Sequence, residues 1–379
     1  METLFFELLQ VAIGNRQQLS AIPTKEEWLL LYEIAKKQSL LGIAFSGMEK
    51  LPKEQWPERQ QILRWTANAA KIKQRNILTS EVCLQLCEEF SAAGFRTCIL
   101  KGQANHVYYD EHLKNVRTCG DVDIWIVPED KSCEHPVKKV LAYMYSQDVV
   151  KSLCYLHVEM APVKTVPVEV HLRPSFMNSP VKNHRFQNLY GHGVEKFDEC
   201  VCLKEIEGQI CLPALKTEYD VVFQMNHIYR HLIDEGVGLR QVLDYYMLLK
   251  EWHQIKENSV LNIQCEIKRL GMKRFSGALM YVLQEVFAMP TAWLICEASE
   301  KDGRFLLDEI MRAGNFGHYD GRMVKLEMKK GQTSYQVRKA WRRFCRNLRF
   351  FASYPEEVFW EPFARIGHLW WRKYKWWNL

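Results

Sequence analysis

Apolar positions in the first quarter of the chain recur at helical spacing. Leu4, Phe5, Leu8, Leu9 and Ala12 share one face, and Trp28, Leu29, Leu31 and Ile34 follow Thr24-Lys-Glu-Glu27, which reads as an N-terminal capping box. The pattern predicts a longer helix from Pro57 to Ala92, with a candidate break at Asn76 to Thr79 and Gly94 as its terminator. No chemistry is visible here, and a scaffold role is expected for residues 1–94.

The period then changes. Residues 95–213 predict an αβ core: a strand from Arg96 to Leu100, first helical turns over Gln103 to Tyr109, a strand from Asp121 to Val127 and a crossover helix from Pro136 to Tyr145. Tyr155 to Met160 and Val166 to Leu172 form an antiparallel pair, and Val201 to Ile206 and Gln209 to Leu212 a hairpin around Gly208. Helical spacing returns in residues 214–330, over Tyr219 to Leu232 and Leu239 to Trp252. Residues 331–379 make a basic, tryptophan-rich helical segment. The expected class is α+β: a mixed sheet flanked by helical regions.

Chemistry concentrates between Arg96 and Asp130. In Asp121-Val122-Asp123 the alternation of a strand sends both carboxylates to one side. Two such acids resist joint ionisation unless a cation lies between them, which suits a hard, oxygen-seeking ion such as Mg²⁺. On the same reasoning, Asn at both positions is expected to relieve repulsion. A third acid, Glu169, alternates with Val166, Val168 and Val170 and shares its face with His171. Upstream, Leu100-Lys101-Gly102-Gln103 ends a strand at a glycine where backbone amides can approach an anion. Neither G-x-x-x-x-G-K-[ST] nor G-x-G-x-x-G occurs, which counts against a P-loop or Rossmann fold.

Leu100-Lys101-Gly102, then Arg117-Thr-Cys-Gly120-Asp121-Val-Asp123, then Glu169-Val-His171 resembles the DNA polymerase beta-like nucleotidyltransferase superfamily. More narrowly, it resembles a poorly characterised bacterial nucleotidyltransferase family. The likeness extends loosely over residues 20–330 and into a helical block with His227, His231, Arg240 and Asp244. It implies transfer of a nucleoside monophosphate from an NTP such as ATP to an acceptor hydroxyl, with release of pyrophosphate. Asp121, Asp123 and Glu169 would hold two Mg²⁺ ions, or Mn²⁺. Lys101, Gly102, Gln103, Arg117 and Gly120 would meet the nucleotide, and His171 and the helical block would line the cleft. The chain departs from the superfamily in having Gly102-Gln103, not Gly-Ser or Gly-Gly, and a longer gap to the acids.

Several of these residues also admit plain structural roles. His227 and His231 sit one helical turn apart, a spacing that can chelate a metal but equally serves packing. The zincin glutamate is absent, since Ile228 stands in its place. Arg240 and Asp244 could form an intrahelical pair. Alternation would turn Lys101 outward, toward solvent.

Composition is that of an ordinary globular protein, 47% hydrophobic and 25% charged over 379 residues. No apolar run approaches the roughly 20 residues of a membrane span. Twelve scattered cysteines without Cys-x-x-Cys read as reduced cytoplasmic thiols, and the N-terminus has no basic leader. Charge is uneven: Ser334 to Leu379 holds ten Lys or Arg against three Glu, a balance of +7 in a chain whose total is +6.

That segment also holds six of the twelve tryptophans. On a helix from near Pro362, Phe363, Ile366, Trp370, Tyr374 and Trp377 share one face, and Arg365, His368, Arg372 and Lys375 another. Such a helix over 362–379 fits docking on the protein's own core, contact with the inner membrane surface, or single-stranded nucleic acid. The functional alternatives are a noncatalytic accessory protein of the same fold, membrane-associated or in surface-polysaccharide synthesis, and a nucleic-acid modifier. The acceptor and the NTP stay open.

Overall fold

Four helices precede the first strand: α1 (Glu2–Ala12), α2 (Lys25–Lys37), α3 (Leu41–Lys50) and α4 (Arg59–Ala92). They belong to a computed structural model that describes residues 1–191, 193–206, 210–322 and 333–374. The capping box closes as expected. Thr24 Oγ1 accepts from Glu27 N at 3.2 Å and Glu27 Oε2 accepts from Thr24 N at 2.8 Å, an arrangement worth about 1 kcal/mol. By contrast α4 runs 34 residues without the break expected at Asn76. Asn76 turns its side chain away from its own backbone and donates to the carbonyls of Asn115 and Arg117, both at 2.8 Å. Thr79 back-bonds to Arg75 O within the helix.

The strands are β1 (Phe95–Ile99), β2 (Val122–Pro128), β3 (Val150–Leu153), β4 (His157–Val163), β5 (Val166–His171), β6 (Val201–Ile206) and β7 (Ile210–Leu215). They form one mixed sheet in the order β3-β4-β5-β2-β1-β7-β6. β2 lies parallel to β5 and β1 parallel to β7, and the other neighbours are antiparallel. Edge strand β3, four residues long, is too short to announce itself by periodicity. The β6–β7 hairpin forms, with Gly208 itself outside the described residues.

Between and after the strands come α5 (Glu111–Lys114), α6 (Pro136–Ser146), α7 (Pro180–Tyr190), α8 (Val194–Cys200), α9 (Thr217–Asp234), α10 (Leu239–Ile255), α11 (Ile263–Arg269), α12 (Lys273–Phe287), α13 (Glu300–Ala313), α14 (Thr333–Phe351) and α15 (Pro355–Lys373). Alternation divides the sheet residues between two cores. Val122, Ile124 and Ile126 join Val166, Val168 and Val170 against Val82, Leu86 and Phe90 of α4 and Val140, Leu141 and Met144 of α6. On the opposite face Trp125 packs on Phe197 of α8 at 4.6 Å between ring centroids. There the sheet meets a larger core shared by α1–α3, α9, α10, α12 and α13. The N-terminal helices are fastened to it by Gln10 donating to Val286 O and Asn15 donating to Phe287 O and the Tyr246 hydroxyl. The polar members of β2 and β5 therefore emerge at a seam between sheet and helices.

Candidate active site

Parallel pairing of β2 with β5 sets Asp123 directly beside Glu169, and Trp125 beside His171. Asp121, just ahead of β2, lies on the side of Asp123. Carboxylate oxygens of Asp121, Asp123 and Glu169 all come within 4.8 Å of one another. Asp123 is 2% exposed, and both of its oxygens are engaged: Lys101 Nζ lies 2.9 Å from Oδ2 and His171 Nε2 3.0 Å from Oδ1. His171 also reaches Glu169 Oε2 at 3.7 Å, while His157 Nδ1 on β4 approaches the same oxygen at 3.0 Å.

These contacts explain the charge states. Burial opposes ionisation of Asp123, but Lys101 and the His171 hydrogen bond outweigh it and hold its pKa below the usual range. Burial likewise opposes charge on Glu169, yet His171 and His157 hold it down to about 2. Burial would discharge His171, but its hydrogen bond to Asp123 and the nearby charge of Glu169 raise it to about 9, so the imidazolium prevails at neutral pH. Lys101 stays charged because Asp123, Asp121 and Glu169 together more than offset its burial. It points into the acid cluster, correcting the solvent-facing orientation that alternation implied. The strand has already ended at Ile99, so its period no longer applies at Lys101.

Gly102 comes next with φ +66, a conformation natural to glycine, and a Cβ there would meet Asp121 O at 3.6 Å. From Gly102 to Tyr108 the backbone winds into a seven-residue 3₁₀ helix in place of the expected α-helical turns. The Gln103 side chain leaves the cleft: it donates to Asn76 O at 3.1 Å and Ser80 Oγ at 2.8 Å on α4.

The loop ahead of the acids is held from two sides. Asn76 grips it from α4, while from α10 Asp244 takes two bonds of 2.6 Å from Arg117 and a third, at 2.8 Å, from the Tyr109 hydroxyl. Arg240 donates to Thr118 O at 3.0 Å, and its guanidinium stands near Gly120. The intrahelical Arg240–Asp244 hydrogen bond thus gives way to two long-range contacts. Arg117 is 3% exposed, and with a bidentate partner it serves first as a brace. Its Nη1 has no hydrogen-bond partner, although the residue borders the cleft.

The cleft is narrow; empty space in it and in the open solvent at its mouth together comes to about 470 Å³. Lys101, Gly102, Arg117, Gly120, Asp121 and Asp123 line one side, and His227, Arg240, Gln241 and Asp244 the other. Glu169 joins the acid trio from the neighbouring strand without lining this cleft. His227 stacks on Phe223 and meets His231 edge-on at 4.3 Å. His231 is spoken for by Glu235 at Nδ1 and Arg230 at Nε2. Burial lowers the pKa of both rings. They pack; no third ligand joins them among the described residues.

Sequence reasoning passed over His157, Asn105, Gln224 and Phe316, the last three of which border the cleft. For His157 the signal existed: in an antiparallel β4–β5 pair it falls opposite His171. Phe316, in contrast, arrives from a 3₁₀ turn whose position only tertiary packing fixes.

Comparison with known proteins places this geometry in context. The family model described as "Uncharacterised nucleotidyltransferase" matches residues 24–288. Among solved structures, an antigenic nucleotidyltransferase-like protein from Paracoccidioides brasiliensis is similar at 12% identity and a TM-score of 0.31, covering 62% of this chain and 98% of its own. No curated protein matches.

Proposed function

Because the chain belongs to the uncharacterised nucleotidyltransferase family, we propose that it is a divalent-metal-dependent nucleotidyltransferase that moves a nucleoside monophosphate from an NTP to an acceptor hydroxyl. The observation that carries this reading is the convergence of Asp121, Asp123 and Glu169 from adjacent strands to within 4.8 Å. An all-oxygen, anionic donor set at that spacing fits Mg²⁺ or Mn²⁺.

Asp121, Asp123 and Glu169 would hold the ions. Bound there, they would neutralise phosphate charge and acidify the acceptor hydroxyl. Glu169, which joins the two aspartates from the neighbouring strand, serves as a ligand. His171, charged and donating to Asp123, orients that carboxylate. Lys101 is the counter-ion of Asp123 until a cation arrives, and from the same position can swing to the leaving pyrophosphate. The acceptor oxygen forms its bond to the α-phosphorus as the bond to the β-phosphate oxygen breaks. The acceptor's proton passes to water. Arg117, Arg240 and Asp244 keep the loop before Asp121 in place.

The test is incubation of the protein with NTPs labelled at the α-phosphate, Mg²⁺ and cell extract. A labelled product that is lost with Asp121→Asn is expected. Equal labelling by the two proteins would refute the assignment.

A further inference from the structure

The C-terminal helices α14 and α15 leave an apolar surface turned away from the body. α14 exposes Trp341, Phe344 and Leu348 at 63%, 51% and 60%, and α15 exposes Phe363, Ile366 and Trp370 at 53%, 48% and 53%. Each set follows helical spacing and so forms a stripe. Every exposed tryptophan or phenylalanine among the described residues lies between Trp341 and Trp370. Isolated apolar side chains at a surface need no explanation; a concentration of aromatic rings does.

The opposite faces are firmly docked. Arg346 caps the end of α9 by donating to Leu232 O and Ile233 O, and Phe350, Tyr354 and Val358 are buried in the main core. Near the end of α15, His368 stacks on Tyr155 at 4.1 Å, and Trp371 is buried with the sheet. This docking resembles the core-packing option raised by the sequence, but a different set of residues performs it.

Charge separates in the same way. The acids of the segment are Glu356, Glu357 and Glu361, and all three are turned to protein partners. Glu356 pairs with Lys182, Glu357 accepts from the backbone of Asn178 and Ser179, and Glu361 takes Arg365 and Asn347. Arg338 and Lys373 are exposed, whereas Arg372 reaches back to Leu153 O, and α14 carries no acid at all.

We propose that the outer face of α14 and α15 docks on an anionic lipid bilayer, with the aromatic stripes at the headgroup boundary and the basic side chains on the lipid phosphates. A protein partner would need a complementary acidic, apolar surface. The combination of Trp and Phe with flanking Arg and Lys, on helices whose three acids are held in contacts within the protein, two of them buried, is what a lipid surface selects. No described helix is long and apolar enough to cross a membrane, so the contact lies in the plane of the surface. The proposal does not depend on the activity assigned above.

The test is flotation of the full chain with phosphatidylcholine vesicles and with phosphatidylcholine–phosphatidylglycerol vesicles, at low and high salt. Binding to the anionic vesicles is expected, weaker by about tenfold on neutral ones or in high salt. The exposed substitutions Phe344→Glu and Phe363→Glu together should abolish binding and leave the melting temperature unchanged. Absence of binding to anionic vesicles by the native chain would overturn the proposal. So would a native dimer that the double variant converts to a monomer without any vesicle binding, which would identify the face as a self-association surface.

Discussion

Lys101 and Asp123 form an ion pair of 2.9 Å in which the acid is 2% exposed and the lysine side chain 19%. The pair corrects the expectation that Asn at both acidic positions would merely relieve repulsion. Asp123 is the buried counter-ion of Lys101 and His171, so its neutralisation strands two cations. Asp121, half-buried, is the cleaner position to change.

Lys101→Met is expected to destabilise the metal-free protein by about 1–3 kcal/mol in urea denaturation, since His171 remains as a partner for Asp123. Added Mg²⁺ should raise its melting temperature by more than that of the native protein, because a cation no longer competes with the lysine. Unchanged stability without metal would show that the pair contributes nothing.

The bidentate Arg117–Asp244 contact ties α10 to the loop before the acids. Arg117→Ala and Asp244→Ala each leave a buried charge unpaired and should each cost about 3–5 kcal/mol. The double variant should cost clearly less than their sum, with a coupling above about 1.5 kcal/mol in a double-mutant cycle. Additive losses would contradict the brace.

Asp220 lies in the core beside the cleft, accepting from the Tyr108 hydroxyl at 2.8 Å and Gln224 at 3.0 Å. Burial raises its pKa to about 6, with Lys204, Gln224 and Tyr108 offsetting the effect only in part. A folded pKa above the unfolded one means that its contribution is most favourable below about pH 4 and is lost as pH rises through 6. Asp220→Asn should therefore be the more stable protein at pH 7, by on the order of 1–3 kcal/mol, with the advantage disappearing near pH 4. Urea midpoints across that range check it. An advantage independent of pH would contradict the buried, protonatable carboxyl.

Much of the site's position was legible because β-strand period and motif order agree. Alternation places Asp121 with Asp123, and Glu169 with His171, on one side of each segment; the parallel β2–β5 register that brings Glu169 beside Asp123 has no local signal, since α6, β3 and β4 intervene between the two strands. The partners were not legible. Arg117 and Asp244 are 127 residues apart, and neither carries a local signal that it prefers the other to a nearer charge. Gln103 reads as a phosphate-turn residue only so long as α4 is not known to pass beside it; Asn76 O and Ser80 then claim its amide. In the tail, period predicted the face holding Phe363, Ile366, Trp370 and Tyr374, with Trp377 and Lys375 outside the described residues. It could not tell that this face is the exposed one and that His368 is the docked residue.

Three carboxylates, Asp121 just ahead of β2, Asp123 on it and Glu169 on β5, are expected to bind a divalent cation. Calorimetric titration of Mn²⁺ into the native protein and Asp121→Asn tests this most directly. Saturable binding to the native chain is expected, weakened at least about tenfold, or roughly 1.4 kcal/mol, in a variant of unchanged melting temperature. Identical binding isotherms for the two proteins would contradict it.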